Sequence, residues 1–277
     1  MATRRDALRV LTAAGLGLLG GVASYGYAYE RHQLRVVRTD LPFGGLPPAF
    51  DGMRVGLITD LHHSPFVPQE DVARAAALVM VEQPDLIVLA GDYITDKDIR
   101  YLEPCMEALA GLTAPFGVYA VLGNHDDDRD TPAALARRGF VVLKDARTLL
   151  TVKGDALDIA GITFWNRRAP DIARVVRGAQ GRARLLLAHD PRRLTEATEL
   201  GVGAMLSGHT HGGQIVLPGI GAVAARRFPV LAGLATERHT RIFVSRGVGT
   251  VFVPIRINCP PEVAVLTLRP DRASEVA

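Results

Sequence analysis

Val55-Gly-Leu-Ile-Thr59, followed by Asp60-Leu61-His62, is a short apolar run that stops at two residues of metal-ligating type. The arrangement recurs four times downstream. Leu86-Ile-Val-Leu-Ala90 leads into Gly91-Asp92, and Val118-Tyr-Ala-Val-Leu122 into Gly123-Asn124-His125-Asp126. Leu185-Leu-Leu-Ala188 leads into His189-Asp190, and Ala204-Met-Leu-Ser207 into Gly208-His209-Thr210-His211. Short apolar runs bounded by Gly or Pro read as buried strands. Open α/β sheets bind their ligands beyond the carboxyl ends of the strands. The pattern therefore delivers Asp60, His62, Asp92, Asn124, His125, His189, His209 and His211 to one rim. One Asp-x-His would mean little; five such endings in order point to a metal site.

The segments between these runs alternate with helices. Residues 69–82 place Val72, Ala76, Val79 and Met80 on one face and stop before Pro84. A second helix is expected over 98–110, a third after Thr131-Pro132 with Thr131 as its cap, and a fourth over 170–178. Strands are expected at 34–37, 140–143, 149–152 and 156–162. Beyond His211 the helices stop, and β-type runs at 214–217, 241–245, 250–253 and 263–268 take over. An alternating first half and a β-rich second half predict an α/β fold of two packed sheets with helices outside. Residues 31–52 read as a first strand and turn-rich linker, and 53–277 as the functional domain.

At 277 residues and 48% hydrophobic content, the chain can bury one large core. Arginine dominates the basic residues, with lysine only at 97, 144 and 153, and the net charge is +3. No lysine-rich stripe or aromatic-interleaved basic patch is present, so nucleic acid is not an expected partner. Cys105 and Cys259 stand alone, which gives neither a disulfide framework nor a thiolate metal motif. Two buried thiols are expected.

Arg4 and Arg5 precede an uncharged apolar stretch from Val10 to Ala28. A basic start and an apolar middle are the layout of an export signal, and paired arginines resemble the twin-arginine type. An uncleaved membrane anchor is the other reading of residues 1–30, since a stretch of this length is near the minimum for a bilayer. Either places the protein in the periplasm or cell envelope.

The ligand types are carboxylate, imidazole and amide. That donor set suits two divalent ions such as Mn, Zn or Fe better than copper(I) or an iron–sulfur cluster. Asp60 and His62, two apart on an extended segment, share a face, as do His209 and His211. Two adjacent dications need a bridging anion, for which Asp92 is the natural candidate.

These blocks, in this order, resemble the calcineurin-like metallophosphoesterases, and Gly212-Gly213-Gln214 and Asn258-Cys259-Pro260-Pro261-Glu262 look like their exported bacterial branch. The resemblance implies a four-layer α/β/β/α sandwich of two mixed sheets. It implies that Asp60, His62 and His211 hold one metal, that Asn124, His189 and His209 hold a second, and that Asp92 bridges them. His125 would stand by the leaving group, oriented by Asp126, while a hydroxide held between the ions attacks phosphorus.

The expected activity is hydrolysis of a phosphomonoester or phosphodiester, with envelope and lipid-linked esters or pyrophosphates among the candidate substrates. The chain is expected to act as a monomer, with residues 10–28 available for membrane association. A non-catalytic protein that holds cell-envelope phosphate polymers through its metals is the alternative. Residues 215–235, apolar around Arg226-Arg227, read either as a core-contacting segment or as a loop that meets acyl chains.

Overall fold

The computed structural model describes residues 3–177, 183–224 and 227–271. Its strands are β1 (Arg35–Phe43), β2 (Arg54–Ile58), β3 (Leu86–Leu89), β4 (Val118–Ala120), β5 (Val141–Val142), β6 (Ala146–Val152) and β7 (Asp155–Ile162). They continue as β8 (Arg184–Ala188), β9 (Ala204–Ser207), β10 (Val216–Leu217), β11 (Gly221–Ala222), β12 (Gly233–Glu237), β13 (Thr240–Val244) and β14 (Glu262–Pro270). The helices are α1 (Arg4–Ala28), α2 (Gln69–Val81), α3 (Leu102–Ala108), α4 (Asp130–Arg137), α5 (Ala169–Val176) and α6 (Leu194–Glu199).

One sheet has the order β1-β14-β2-β3-β4-β5 and the other β12-β13-β9-β8-β7-β6. In the first, β2 to β5 run parallel and β14 is antiparallel to β2. In the second, β7, β8, β9 and β13 run parallel, with β6 and β12 antiparallel at the edges. Both sheets are mixed, and parallel strands buried on both faces explain the unbroken apolar runs in the sequence.

Side-chain alternation then sorts the layers. Val55, Leu57, Leu86 and Val88 of the first sheet meet Leu185, Leu187, Leu206 and Phe243 of the second in one core. Ile87 and Leu89 point the other way, onto Val72, Val79, Met106 and Leu135 of α2, α3 and α4. Leu186 and Met205 likewise face Ile172, Val176 and Leu194 of α5 and α6. The result is the α/β/β/α sandwich. Gly56 leaves room for α2, since a Cβ there would stand 2.6 Å from a Val79 methyl.

Several boundaries differ from the sequence expectation. β1 extends through Pro42, which an edge strand tolerates because its free side needs no N–H donor. α4 begins at Asp130, one residue before Thr131. Its start is capped by Asp127, whose carboxylate accepts from the Arg129 and Asp130 amides at 2.8 and 2.7 Å. Residues 250–253 form no strand. There Gln214 takes the place of a neighbouring strand: its amide group donates to the Val251 and Val253 carbonyls and accepts from the Val251 N–H. Residues 233–237, unassigned from sequence, pair with β13 as an edge strand. Among the described residues no helix is long and apolar enough to cross a membrane. Cys105 and Cys259 are buried and free, as expected.

Leu206 lies in the core between the sheets, two residues before Gly208. Leu206→Ala should lower unfolding free energy by about 2–5 kcal/mol in urea titrations; a loss under about 1 kcal/mol would show that the inter-sheet core can collapse around the gap.

Candidate metal centre

Each parallel strand that ends at the rim hands on a ligand-type side chain. Asp60, His62, Asp92, His189 and His211 are all buried. They and their neighbours fall into overlapping groups whose ligand atoms lie within 4.8 Å of one another: Asp60, His62 and His211; His62, Asp92 and His125; Asp92, His189 and His209. Asp92 belongs to the last two. Its Oδ1 accepts the His125 amide at 2.8 Å. Its Oδ2 is 3.4 Å from His62 Nε2 and 3.1 Å from His189 Nε2. One carboxylate oxygen thus sits between the two sets. Asp60 Oδ1 lies 3.4 Å from His211 Nε2, and the two imidazoles His62 and His211 approach to 3.1 Å between Nε2 atoms.

The backbone bends sharply to achieve this. Asp60, His62, Asp92, His209 and His211 all have φ between 50° and 72°, a region that non-glycine residues rarely adopt and that concentrates at functional sites. Asp60–His62 and His209–His211 are therefore not extended, and the same-face argument drawn from their spacing does not hold. His211 joins Asp60 and His62, whereas His209 joins Asp92 and His189. Two glycines make the turns possible. A Cβ on Gly123 would collide with Asp92 Oδ1, and one on Gly208 with Asp60 Oδ2.

The donor set fits divalent cations. Asn124 Oδ1 and His189 Nε2 are buried without a hydrogen-bond partner, which is costly unless something else satisfies them. His189 Nδ1 is 2.7 Å from the Ala90 carbonyl. With a proton there, Nε2 is the nitrogen that faces the other ligand-type groups, the usual support for a metal-bound histidine. Burial lowers the pKa of His62 to about 3 and of His209 to about 4, and pushes His211 well below its ordinary value. These rings are neutral, as ligation requires. Burial raises Asp60 to about 6. Burial opposes the protonation of His189, but the charge of Asp92 outweighs it and holds the ring near 10, with Asp92 correspondingly far below the usual carboxylate range. A cation would take over that pairing from the proton.

The family description "Calcineurin-like phosphoesterase" matches residues 53–213, the span that supplies every one of these candidate ligands. The chain belongs to the calcineurin-like phosphoesterase family. Membership makes it a metal-dependent phosphoester hydrolase.

This phosphoesterase is 30% identical over 279 residues to an uncharacterized metallophosphoesterase, YkuE, of Bacillus subtilis (strain 168), covering 96% of this chain and 98% of that protein. It is 28% identical over 274 residues to Phosphodiesterase YaeI of Escherichia coli (strain K12), covering 95% and 96%. A dimetal phosphatase from Danio rerio superposes with a TM-score of 0.47 at 11% identity, over 72% of this chain and 88% of that one.

Within the phosphoesterase, Asp126 does not stand where the resemblance implied. Its carboxylate accepts the backbone amides of Asp92, Tyr93 and Gly123 at 2.8, 2.7 and 2.8 Å. It fastens two ligand-bearing turns together and makes no bond to His125. The carboxylate beside His125 is that of Asp96, with Oδ1 3.0 Å from Nδ1. Asp96 follows β3 in a loop with positive φ, and its sequence context carries no signal of that contact. His63, next to His62 in sequence, is buried, with Nδ1 2.8 Å from the Val67 carbonyl and an edge-on contact with Tyr101. Arg256 also escaped the sequence reading. It is fully buried, donates to the carbonyls of Arg246, Gly247, Gly249 and Cys259, and brings Nη2 to 3.4 Å from His211 Nδ1.

Two predictions follow from the geometry of the ligands. Gly123→Ala should leave the far-ultraviolet circular dichroism of the sandwich intact while removing bound metal in elemental analysis; undiminished metal would show that Asp92 is not a ligand. The second concerns pH. Asp60, raised from 3.8 to about 6, contributes stability to metal-free protein below its ordinary value and loses it as the pH rises through about 6. A bound cation pairs with the ionised form and cancels that loss. The difference in Tm between metal-loaded and chelator-treated protein should widen between about pH 4 and pH 7, and a constant difference would exclude Asp60 from the ligand set.

Proposed function

We propose that this phosphoesterase holds a pair of divalent cations and cleaves phosphodiesters in preference to phosphomonoesters. The observation that carries the pair is Asp92 Oδ2, set between His62 and His189 at 3.4 and 3.1 Å. In this reading Asp60, His62 and His211 hold one ion and Asn124, His189 and His209 the other, with Asp92 serving both. Oxygen and imidazole donors suit manganese, zinc or iron. When bound, such ions supply water activated near neutral pH and positive charge for the phosphoryl oxygens.

The chain's own groups complete the reaction. His125 lies beside this cluster, its ring centroid 4.8 Å from that of His62, and donates a proton to the departing ester oxygen. Asp96 meets Nδ1 twice, through its carboxylate at 3.0 Å and through its backbone N–H, which donates to Nδ1 at 3.0 Å, and so orients the ring. Asp126 acts on geometry alone, through the backbone amides it collects. The similarity to Phosphodiesterase YaeI along nearly the whole of both chains supports the diester preference.

The reading extends to location. Residues 1–30 serve as a twin-arginine-type export signal or surface anchor, supported by Arg4 and Arg5 ahead of the uncharged stretch to Ala28. In the structure that stretch is one helix with Leu8, Leu11, Leu16, Leu18 and Leu19 exposed.

Protein loaded with Mn²⁺ or Zn²⁺ should hydrolyse bis-p-nitrophenyl phosphate with a higher kcat/KM than p-nitrophenyl phosphate. Turnover of neither would overturn the reading and favour a metal-dependent binder of phosphate polymers. His125→Ala should keep both ions yet lose about 10²- to 10⁴-fold in kcat. Asp96→Asn should lose about tenfold or more, whereas an Asp126 substitution should act through stability and metal content.

A further inference from the structure

The metal-binding histidines form the inner end of an apolar groove. It encloses about 430 Å³, with His209 and His211 at its floor and Ile215, Val223, Phe228, Val251, Phe252 and Val253 along its walls. Apart from the two histidines, no titratable side chain lines it among the described residues. Arg226 lies outside those residues. A volume of this size is within the range of small-molecule sites, and a group lying in it ends at the atoms that hold the reacting phosphate. Water gains nothing from such walls, because it finds almost no hydrogen-bonding partner there.

Phe252 makes the groove unusual. It is 94% exposed and its φ is 62°. An exposed aromatic ring on a left-handed backbone is unfavourable on both counts, yet the segment beneath it is fastened. Gln214, itself buried, bonds Val251 on both sides and the Val253 carbonyl at 2.8–3.1 Å. The ring is held out over the groove by a fixed base.

The surroundings are apolar in the same direction. Val223 and Val253 of the groove walls are exposed, and exposed Phe66 lines the adjoining depression that also contains His125 and Phe252. The end of α1 packs on the following residues, since a Cβ on Gly26 would stand 2.7 Å from an Ile255 methyl and 3.0 Å from Ile257. Tyr25, Tyr27 and Tyr29 lie exposed at that end, the residue type enriched at membrane–water interfaces.

We propose that this groove holds the apolar chain of an amphiphilic phosphoester, with the chain against Ile215, Phe228 and Phe252 and the phosphate at the metal centre. The proposal rests on the phosphoesterase reading and adds the substrate class to it. Each methylene moved from water into the groove should tighten binding roughly fourfold.

Calorimetry on metal-loaded protein tests this without relying on turnover. Butyl, hexyl and octyl phosphate, each below its micelle concentration, should bind with affinity that rises with chain length. In Phe252→Asp and Val223→Asp, both at exposed positions where folding is not at stake, that rise should flatten. A second arm replaces the dissolved alkyl phosphates with phosphatidylcholine vesicles containing phosphatidic acid. A chain-length rise in the first arm identifies dissolved amphiphiles as ligands, and sedimentation with vesicles that Phe252→Asp abolishes identifies bilayer lipids. Affinity independent of chain length, together with no vesicle binding, overturns the groove assignment. Hydrolysis of bis-p-nitrophenyl phosphate by the same preparation separates the two layers: activity with neither chain-length dependence nor vesicle binding sinks only the groove, and inactivity sinks the reading beneath it.

Discussion

Asp92 is the group on which the site turns. A buried carboxylate is stable only when its charge is met from several directions, and each of its oxygens has a separate task. Oδ1 takes the amide of His125 and so fixes the turn after β4 to the turn after β3. Oδ2 faces two imidazoles delivered by different sheets, His62 after β2 and His189 after β8. The two sheets are joined at their inner faces by an apolar core and at their rim by this oxygen. Precision at the rim therefore depends on the register of both sheets, and a rigid sandwich suits a site assembled from five separated turns.

Asp126 belongs to the same design one layer further out. Its three amide bonds close the loop between the Gly91-Asp92 and Gly123-Asn124 turns. Burial and the charge of Asp92 push its pKa up to about 7, against the pull of the amides. Arg256 does the corresponding work on the other flank, where its guanidinium gathers carbonyls from residues 246–259 behind His211. Acid and base here organise backbone, and neither pairs with the other.

Much of this was legible in the order of residues. Strands that are buried on both faces leave continuous apolar runs, and the ligand follows at once because the site sits at their ends. That is why Asp60, Asp92, His189 and His209 could be read as site residues. The pairing within the cluster was not legible from spacing, because five ligand positions leave the extended region and two-residue periodicity no longer applies. Asp96, Arg256 and the bonding role of Gln214 were missed for another reason: each acts on atoms distant in sequence or on bare backbone, and neither contact marks the local composition. The 250–253 run misled because its β-type residues find a glutamine side chain in place of a partner strand.

Glu30 carries a consequence for processing. Its carboxylate is buried and accepts the Cys259 amide at 2.6 Å, so it clamps the start of the folded body onto the segment behind His211. Cleavage ahead of this residue would keep the clamp, while losing α1 would uncover the apolar side chains of Ile255 and Ile257 on which its end now packs.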